Sequence, residues 1–302
     1  MPILRALIIL LFFPGGLFLL VLGLVYEWTN RKLLAQLQNR IGPRWFQPLA
    51  DLIKLLSKEE IVPAGANAPL FAALPVVALA GTLTAALYVP LFGLIPALSF
   101  PGDLIVAIYL LALLTLSLGL AGANSISRFT LIGTTRTLTQ LFSYEAPFLL
   151  ALLGPAIAAG SWQINQIAAF GDGRWMLLTQ PIGFVIAVIG LMGKLELPPF
   201  DAPEAETEIV AGALTEYSGR GLGLFHLAKD VALVVGLTLI AAVYMGGIVN
   251  PLDFLLKTLV LLGGITVLQA LLTRRRIDQT VGLWWRYGAL AALFQTLVTI
   301  VM

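Results

Sequence analysis

The chain has 302 residues, 59% of them hydrophobic and 11% charged, with a mean hydropathy of +0.95. That composition belongs to a polytopic membrane protein and excludes a soluble globular domain. The net charge of +2 comes from basic residues in short loops between apolar runs, which argues against a nucleic-acid surface, and the lack of cysteine excludes disulfides and iron–sulfur ligation.

The expected fold class is an all-α integral membrane protein of about eight transmembrane helices, with an amphipathic interfacial helix in the first cytoplasmic loop. It forms a single polytopic domain over 1–302. Apolar runs long enough to cross a bilayer fall at about 3–26, 69–92, 103–123, 138–160, 175–194, 222–248, 253–273 and 280–302. The run Ile3–Tyr26 is too long for the apolar core of a cleaved signal, and reads as a retained first span. In the eighth run Arg286 interrupts the apolar pattern, leaving Gly288–Met302 clean. Basic residues gather in loops 27–68, 124–137, 195–221 and 273–280, among them Arg31, Arg40, Lys54, Arg128, Arg136, Arg220 and Arg274. The alternate loops carry only Arg174 and Lys257. This bias predicts that the basic loops face the cytoplasm and that both termini lie outside the cell's inner membrane.

In the first loop, the stretch QPLADLIKLLSKEE begins with Pro48 in the second position, which suits a helix start. Leu49, Leu52, Ile53, Leu55 and Leu56 then share a broad side flanked by Lys54 and Lys58, the pattern of a helix lying in the membrane interface. Two readings are open: a surface helix without a partner, or a platform for a soluble subunit.

The fourth span contains Glu145. A carboxylate inside a span costs about 2–3 kcal/mol, so it faces the bundle interior or water, unless it reaches the interface from the span's end. Ser143 and Tyr144 could hydrogen-bond to it, and Pro147 frees backbone carbonyls nearby. The sixth span opens with His226, Lys229 and Asp230. The lone histidine reads as interfacial rather than as a ligand. Asp230 is expected to lie deeper, with Lys229 pointing elsewhere.

The stretch Lys194–Arg220 concentrates eight of the 34 charges, six of them acidic. Prolines 198, 199 and 203 forbid one continuous helix at its start. If the part after Pro203 is helical, Asp201, Glu204 and Glu208 share one face and Glu206 turns away. The opposite loops carry only Asp103, Asp172, Arg174 and Asp253 besides Lys257, so the function is expected on the cytoplasmic face. No phosphate-binding loop, dinucleotide fingerprint or zinc-protease motif occurs, nor a pair of matching broken spans. These absences argue against an autonomous enzyme and against a secondary transporter.

Several segments together resemble subunit 1 of respiratory complex I, known in bacteria as the H subunit, and its relatives in membrane-bound hydrogenases. They are RKLLAQLQNRIGP at Arg31–Pro43, QPLADLIKLLSKE at Gln47–Glu59, Arg136 with SYE at Ser143–Glu145, PFDAPEAETEIVAG at Pro199–Gly212 and TEYSG at Thr215–Gly219. The resemblance implies a non-catalytic membrane subunit of an ion-pumping oxidoreductase. It would lie beneath hydrophilic redox-arm subunits, of hydrogenase-like large and small type, and beside antiporter-like membrane subunits. Iron–sulfur clusters, and nickel–iron in a hydrogenase, would belong to those partners, with no cofactor held by this chain alone. Carried over position by position, the coupling row is Asp201, Glu204, Glu206, Glu208 and Glu216 with Glu145, and Glu196 and Asp230 adjoin it. Arg40, Asp51 and Lys54 would help dock the redox subunits, with Arg136 and Arg220 beside them.

The chain departs from the family at one point. Quinone-type members read E-x-x-R-x-P-F-D, whereas here the two charged positions are Lys194 and Leu197. That change argues against a conventional quinone site and for the hydrogenase or ferredoxin-linked branch. It also leads to the expectation that Lys194 lowers the pKa of Glu196 or of a nearby loop acid. The expected mechanism is a coupler that turns electron transfer into proton or sodium movement. The alternatives are the H subunit of a quinone-reducing NADH dehydrogenase and a purely structural anchor.

Overall fold

The computed structural model describes residues 15–171 and 175–301. The start of the first expected span, together with Asp172, Arg174 and Met302, lies outside the described residues. Among the described residues the chain is helical, without strands. The main helices are α1 (Gly16–Leu37), α2 (Gln47–Ser57), α3 (Ala68–Ala85), α4 (Asp103–Asn124), α5 (Arg128–Ala159), α6 (Ile164–Phe170), α7 (Pro181–Lys194), α8 (Gly219–Tyr244), α9 (Pro251–Leu271), α10 (Ile277–Leu283) and α11 (Ala289–Val301).

Five of them, α3, α4, α5, α8 and α9, are long and apolar enough to cross a membrane. The expected count of eight is therefore met only in part. Helix α7 is apolar but has 14 residues, about 21 Å at the α-helical rise. Its start is fixed where Pro181 follows Gln180. The last span is one helical run bent through a π-turn at Trp284–Gly288, where Arg286 sits. Helix α1 runs past the expected loop boundary to Leu37, and α5 begins ten residues before residue 138. Hydropathy misplaces both ends because the polar final turns are helical too. The amphipathic helix appears where expected, as α2, and packs on α1 and α8.

Helix α8 is the axis of the bundle. Every residue from Val231 to Tyr244 is buried, as expected of a helix that is apolar all round. Helices α1, α2, α3, α7 and α9 pack against it, while α5 joins α4, α7 and α11 on one side. The ends of α1, α5, α7 and α8 bearing Arg31, Arg136, Lys194 and Lys229 meet at one end of the bundle, together with Arg274 in the segment after α9.

The acidic stretch folds over that end in short turns: a 3-10 turn at Ala202–Glu204, a single helical turn at Glu206–Ile209 and a second 3-10 turn at Gly212–Leu214. No helix long enough to align its acids forms. The prolines deny it a start, and Val210 and Gly212, with φ of 64° and 55°, end it. Gly212 is required at its turn, since a Cβ there would strike the Pro203 carbonyl. The turn seats on α5 at Gly133, where a side chain would collide with the Gly212–Ala213 backbone.

Candidate functional site

Three buried or half-buried charge contacts converge where the acidic stretch meets the bundle. In the first, the Lys194 ammonium lies 2.9 Å from Glu145 Oε2, with the lysine side chain 1% exposed and the glutamate 17%. It also faces the rings of Tyr144 and Phe148, 5.4 and 5.5 Å from their centroids, a cation–π arrangement on an otherwise apolar wall. Tyr144 shares a hydrogen bond with Thr115 at 3.2 Å, which fixes the wall from α4. Lys194 enters the bundle because it ends α7, and Gly193 before it allows the Tyr144 ring to approach.

The second contact is a triad. Directly after α7 the backbone turns through Glu196, with φ of 54°, and carries its carboxylate inward. Lys229 of α8 lies 2.8 Å from Glu196 Oε2 and also bonds Glu204. The sequence pattern turns Lys229 away from the acids; in the structure it neutralises two of them. Lys229 lies one helical turn after the buried Phe225 and so shares its inward side of α8. Burial pushes the Glu196 carboxyl above the usual carboxylate range. Lys229 opposes that rise, and the charge of Glu204 adds to it. This reverses the expectation for Glu196, since Lys194 is engaged by Glu145 and leaves Glu196 to Lys229.

The third set of contacts clamps the acidic stretch. Arg274 donates to Asp201 Oδ2 through Nε and Nη2 at 2.8 and 2.6 Å. Arg136 donates to Glu208 at 2.7 Å and to the Ala202 carbonyl at 3.2 Å, and the Arg275 amide donates to the Pro199 carbonyl at 3.0 Å. Asp201, Glu204 and Glu208 thus diverge to three different cations and do not share a face. The Arg136 guanidinium holds the exposed Glu208 carboxyl below its usual range.

A polar cavity of about 380 Å³ opens between α1, α8 and the acidic stretch. Glu196, Asp201, Glu204, Glu206 and Asp230 line it, as does Arg274. A second cavity of about 290 Å³, under α2, is lined by Asp51, Lys54, His226 and Asp230. Glu27 and Arg31 line both, pair with each other through an i,i+4 contact, and Arg31 reaches Asp51 at 3.5 Å. The expected site residues Glu145, Lys194, Glu196, Asp201, Glu204, Glu206 and Asp230 are therefore brought to one end of the bundle. Glu216 is half-buried without an ion-pair partner among the described residues. Arg40 and Arg220 are exposed, Arg40 bonding Gln38. Sequence pattern alone does not single out Glu27, Arg31, Lys229, Arg274 or Gln140 as site residues. The i,i+4 spacing of Glu27 with Arg31 is a usable signal; the long-range pairings of Lys229 and Arg274 leave none.

A family model described as NADH dehydrogenase matches residues 7–300. The chain is 33% identical over 292 residues to an H subunit of NADH-quinone oxidoreductase from Rhodopseudomonas palustris, covering 93% of this chain and 92% of that protein. It is 35% identical over 300 residues to one from Geobacter sulfurreducens, covering 93% and 91%. Among solved structures it is similar to a chain of the membrane-bound sulfane sulfur reductase, an archaeal respiratory membrane complex. That match has a TM-score of 0.88 and 25% identity, and covers 99% of both chains.

Replacing Lys229 by Met strands Glu196 as a buried, unpaired acid, and breaking such a pair costs about 3–5 kcal/mol. The expected result is a clearly lower thermal-inactivation midpoint for the intact complex, largely recovered when Glu196→Gln is added. A single variant as stable as the parent contradicts the pairing. For Glu208 the folded pKa is depressed, so the Arg136 contact is fully present above the carboxyl's unfolded pKa and is lost as pH falls through its folded value. The protection of amides at residues 204–211, taken relative to intrinsic exchange at each pH, is therefore expected to fall selectively in acid, and Arg136→Leu is expected to show that loss of protection at neutral pH.

Proposed function

The chain belongs to the NADH dehydrogenase family of complex I subunit 1 and its bacterial counterpart, the H subunit, and we propose that within it the chain is the coupling subunit, which converts charge changes in an attached redox arm into ion movement across the membrane. The observation that carries this reading is the pair of lysines, Lys194 buried and Lys229 half-buried, matched to Glu145, Glu196 and Glu204, with Glu196, Glu204 and Lys229 lining a cavity.

Lys229 neutralises one acid fixed at the end of α7, Glu196, and one acid on the short-turned stretch above, Glu204. A charge change in the redox arm that displaces this stretch withdraws Glu204 and leaves Lys229 wholly to Glu196. A unit charge moved to or from about 4 Å is worth about 4 kcal/mol at an effective dielectric of ~20, about a thousandfold in proton affinity. Both effects weaken the hold of Glu196 on a proton, because a neighbouring negative charge departs and the cation is no longer shared. The change is then passed on to the Glu145–Lys194 pair, whose lysine lies two residues before Glu196 in the chain. Glu145, the more exposed partner, hands it sideways to antiporter-like subunits. Asp201 and Glu208, clamped by Arg274 and Arg136, set the resting position of the stretch. The proposed setting is the cell's inner membrane, with this face toward the cytoplasm and redox-arm subunits docked through Arg40, Asp51, Lys54 and Arg220.

Lys194 and Leu197, in place of the acid and arginine of quinone-type members, favour a hydrogenase-like or ferredoxin-linked arm. The second reading is a quinone-reducing complex, favoured by the names of the NADH-quinone oxidoreductase relatives and by the cavities under α2 and beside α8. Nickel and quinone analysis of the intact complex separates the two: nickel without quinone supports the first, and quinone-reductase activity without nickel supports the second.

Glu145→Gln keeps a hydrogen-bond acceptor for Lys194, which can shed its proton, and is expected to leave the complex assembled and electron transfer running while ion transport into proteoliposomes falls to a small residue. Full transport by that variant sinks the coupling role.

A further inference from the structure

Helix α5 carries a buried polar row at Thr130, Thr134, Thr137 and Gln140, spaced at three and four residues along one face. Gln140 differs from the threonines in what it holds. Its amide nitrogen donates one hydrogen bond to the Gly193 carbonyl at 2.9 Å and one to the Phe200 carbonyl at 2.8 Å. The first is among the last carbonyls of α7 and also accepts the Glu196 backbone amide at 3.3 Å, which ties the corner to the helix end. The second lies beyond the turn at Pro198–Pro199. Between them runs the corner that contains both Lys194 and Glu196. One side chain therefore spans the corner and fixes the two ion pairs relative to each other on a single helix, which also bears Glu145.

Gln140 is 1% exposed, and its Oε1 has no hydrogen-bond donor among the described residues. Glu145 Oε1 is likewise buried without a donor among the described residues. Thr137, one turn before Gln140, lies against the Glu196 carboxylate. Buried acceptors are ordinarily satisfied, and a buried carbonyl that no protein donor reaches is suited to a small protic molecule such as water. A purely structural staple would need only the two donors of Gln140. The unused acceptor is the feature that points further.

We propose that Gln140 is a positioning residue for coupling: it sets the Glu196–Lys229 triad against the Glu145–Lys194 pair, and its carbonyl takes part in the hydrogen-bonded connection between the two carboxylates. This inference rests on the coupling role proposed above and names a residue through which that role operates.

Two substitutions test it in the intact complex. Gln140→Met keeps length and bulk but removes both donors and the acceptor, and Gln140→Asn keeps the amide but withdraws it by one methylene. Electron transfer and ion uptake are measured together in proteoliposomes, with a pH-sensitive dye and a sodium electrode. Both variants are expected to assemble and to turn over electrons near the parent rate, with most of the ion uptake per electron lost. An unchanged ratio in either assembled variant overturns the inference. Loss of assembly in both also overturns it, because that is how a residue that only holds the fold would behave. Glu145→Gln measured alongside separates the two claims. If it pumps fully, the coupling reading itself fails. If it does not pump while both Gln140 variants do, only the role of Gln140 fails.

Discussion

Two ammonium groups, Lys194 buried and Lys229 half-buried, lie where helices α7 and α8 meet the acidic stretch, and the arrangement around them follows from the need to neutralise them. A lone ion cannot stay charged in a low-dielectric interior. Lys194 is accordingly held by Glu145 and two aromatic rings, and Lys229 by Glu196 and Glu204. The carboxylates come from three places: the middle of α5, the corner after α7 and the turn after Pro203. Matching them to the lysines fixes how these elements sit together. Burial of this kind adds little net stability, but it makes position and protonation interdependent.

That interdependence gives the short-turned stretch its meaning. Were residues 202–218 one helix, its acids would form a rigid row. The chain breaks it into three turns, and three ion pairs anchor the first two and the residue before them: Asp201 on Arg274, Glu204 on Lys229 and Glu208 on Arg136. Gly212 and Gly133 then seat the far end on α5. A segment held by a few ion pairs between fixed ends is displaced at modest cost. On the proposed reading, that is how an event in a docked redox arm reaches the membrane.

Much of this is legible in the sequence. Hydropathy locates the apolar helices, the α2 pattern marks the interfacial helix, and the density of acids in Lys194–Arg220 points to the right end of the bundle. Glu145 stands out because a carboxylate inside a span needs a reason. What sequence does not supply is partnership. Lys229 looks outward because it neighbours Asp230 on a helix, yet its acids come from 25 and 33 residues upstream. Arg274 is 73 residues from Asp201. Such pairings depend on how helices cross, which periodicity does not encode. The helix expected after Pro203 fails for a local reason, the left-handed backbone at Val210 and Gly212, and Val210 gives no warning of that conformation.

If this cluster couples the arm to ion movement, its buried carboxylates respond to the redox state of that arm. Redox-triggered infrared difference spectroscopy on the intact complex, in water and in heavy water, reads that response. Coupling predicts a carboxyl band that changes when the arm is reduced, shifts in heavy water, and disappears or moves when Glu196 is replaced by Gln. A difference spectrum without any carboxyl signal sensitive to Glu196 or Glu145 would contradict it, and would leave the charged cluster as a clamp that only holds the arm to the membrane.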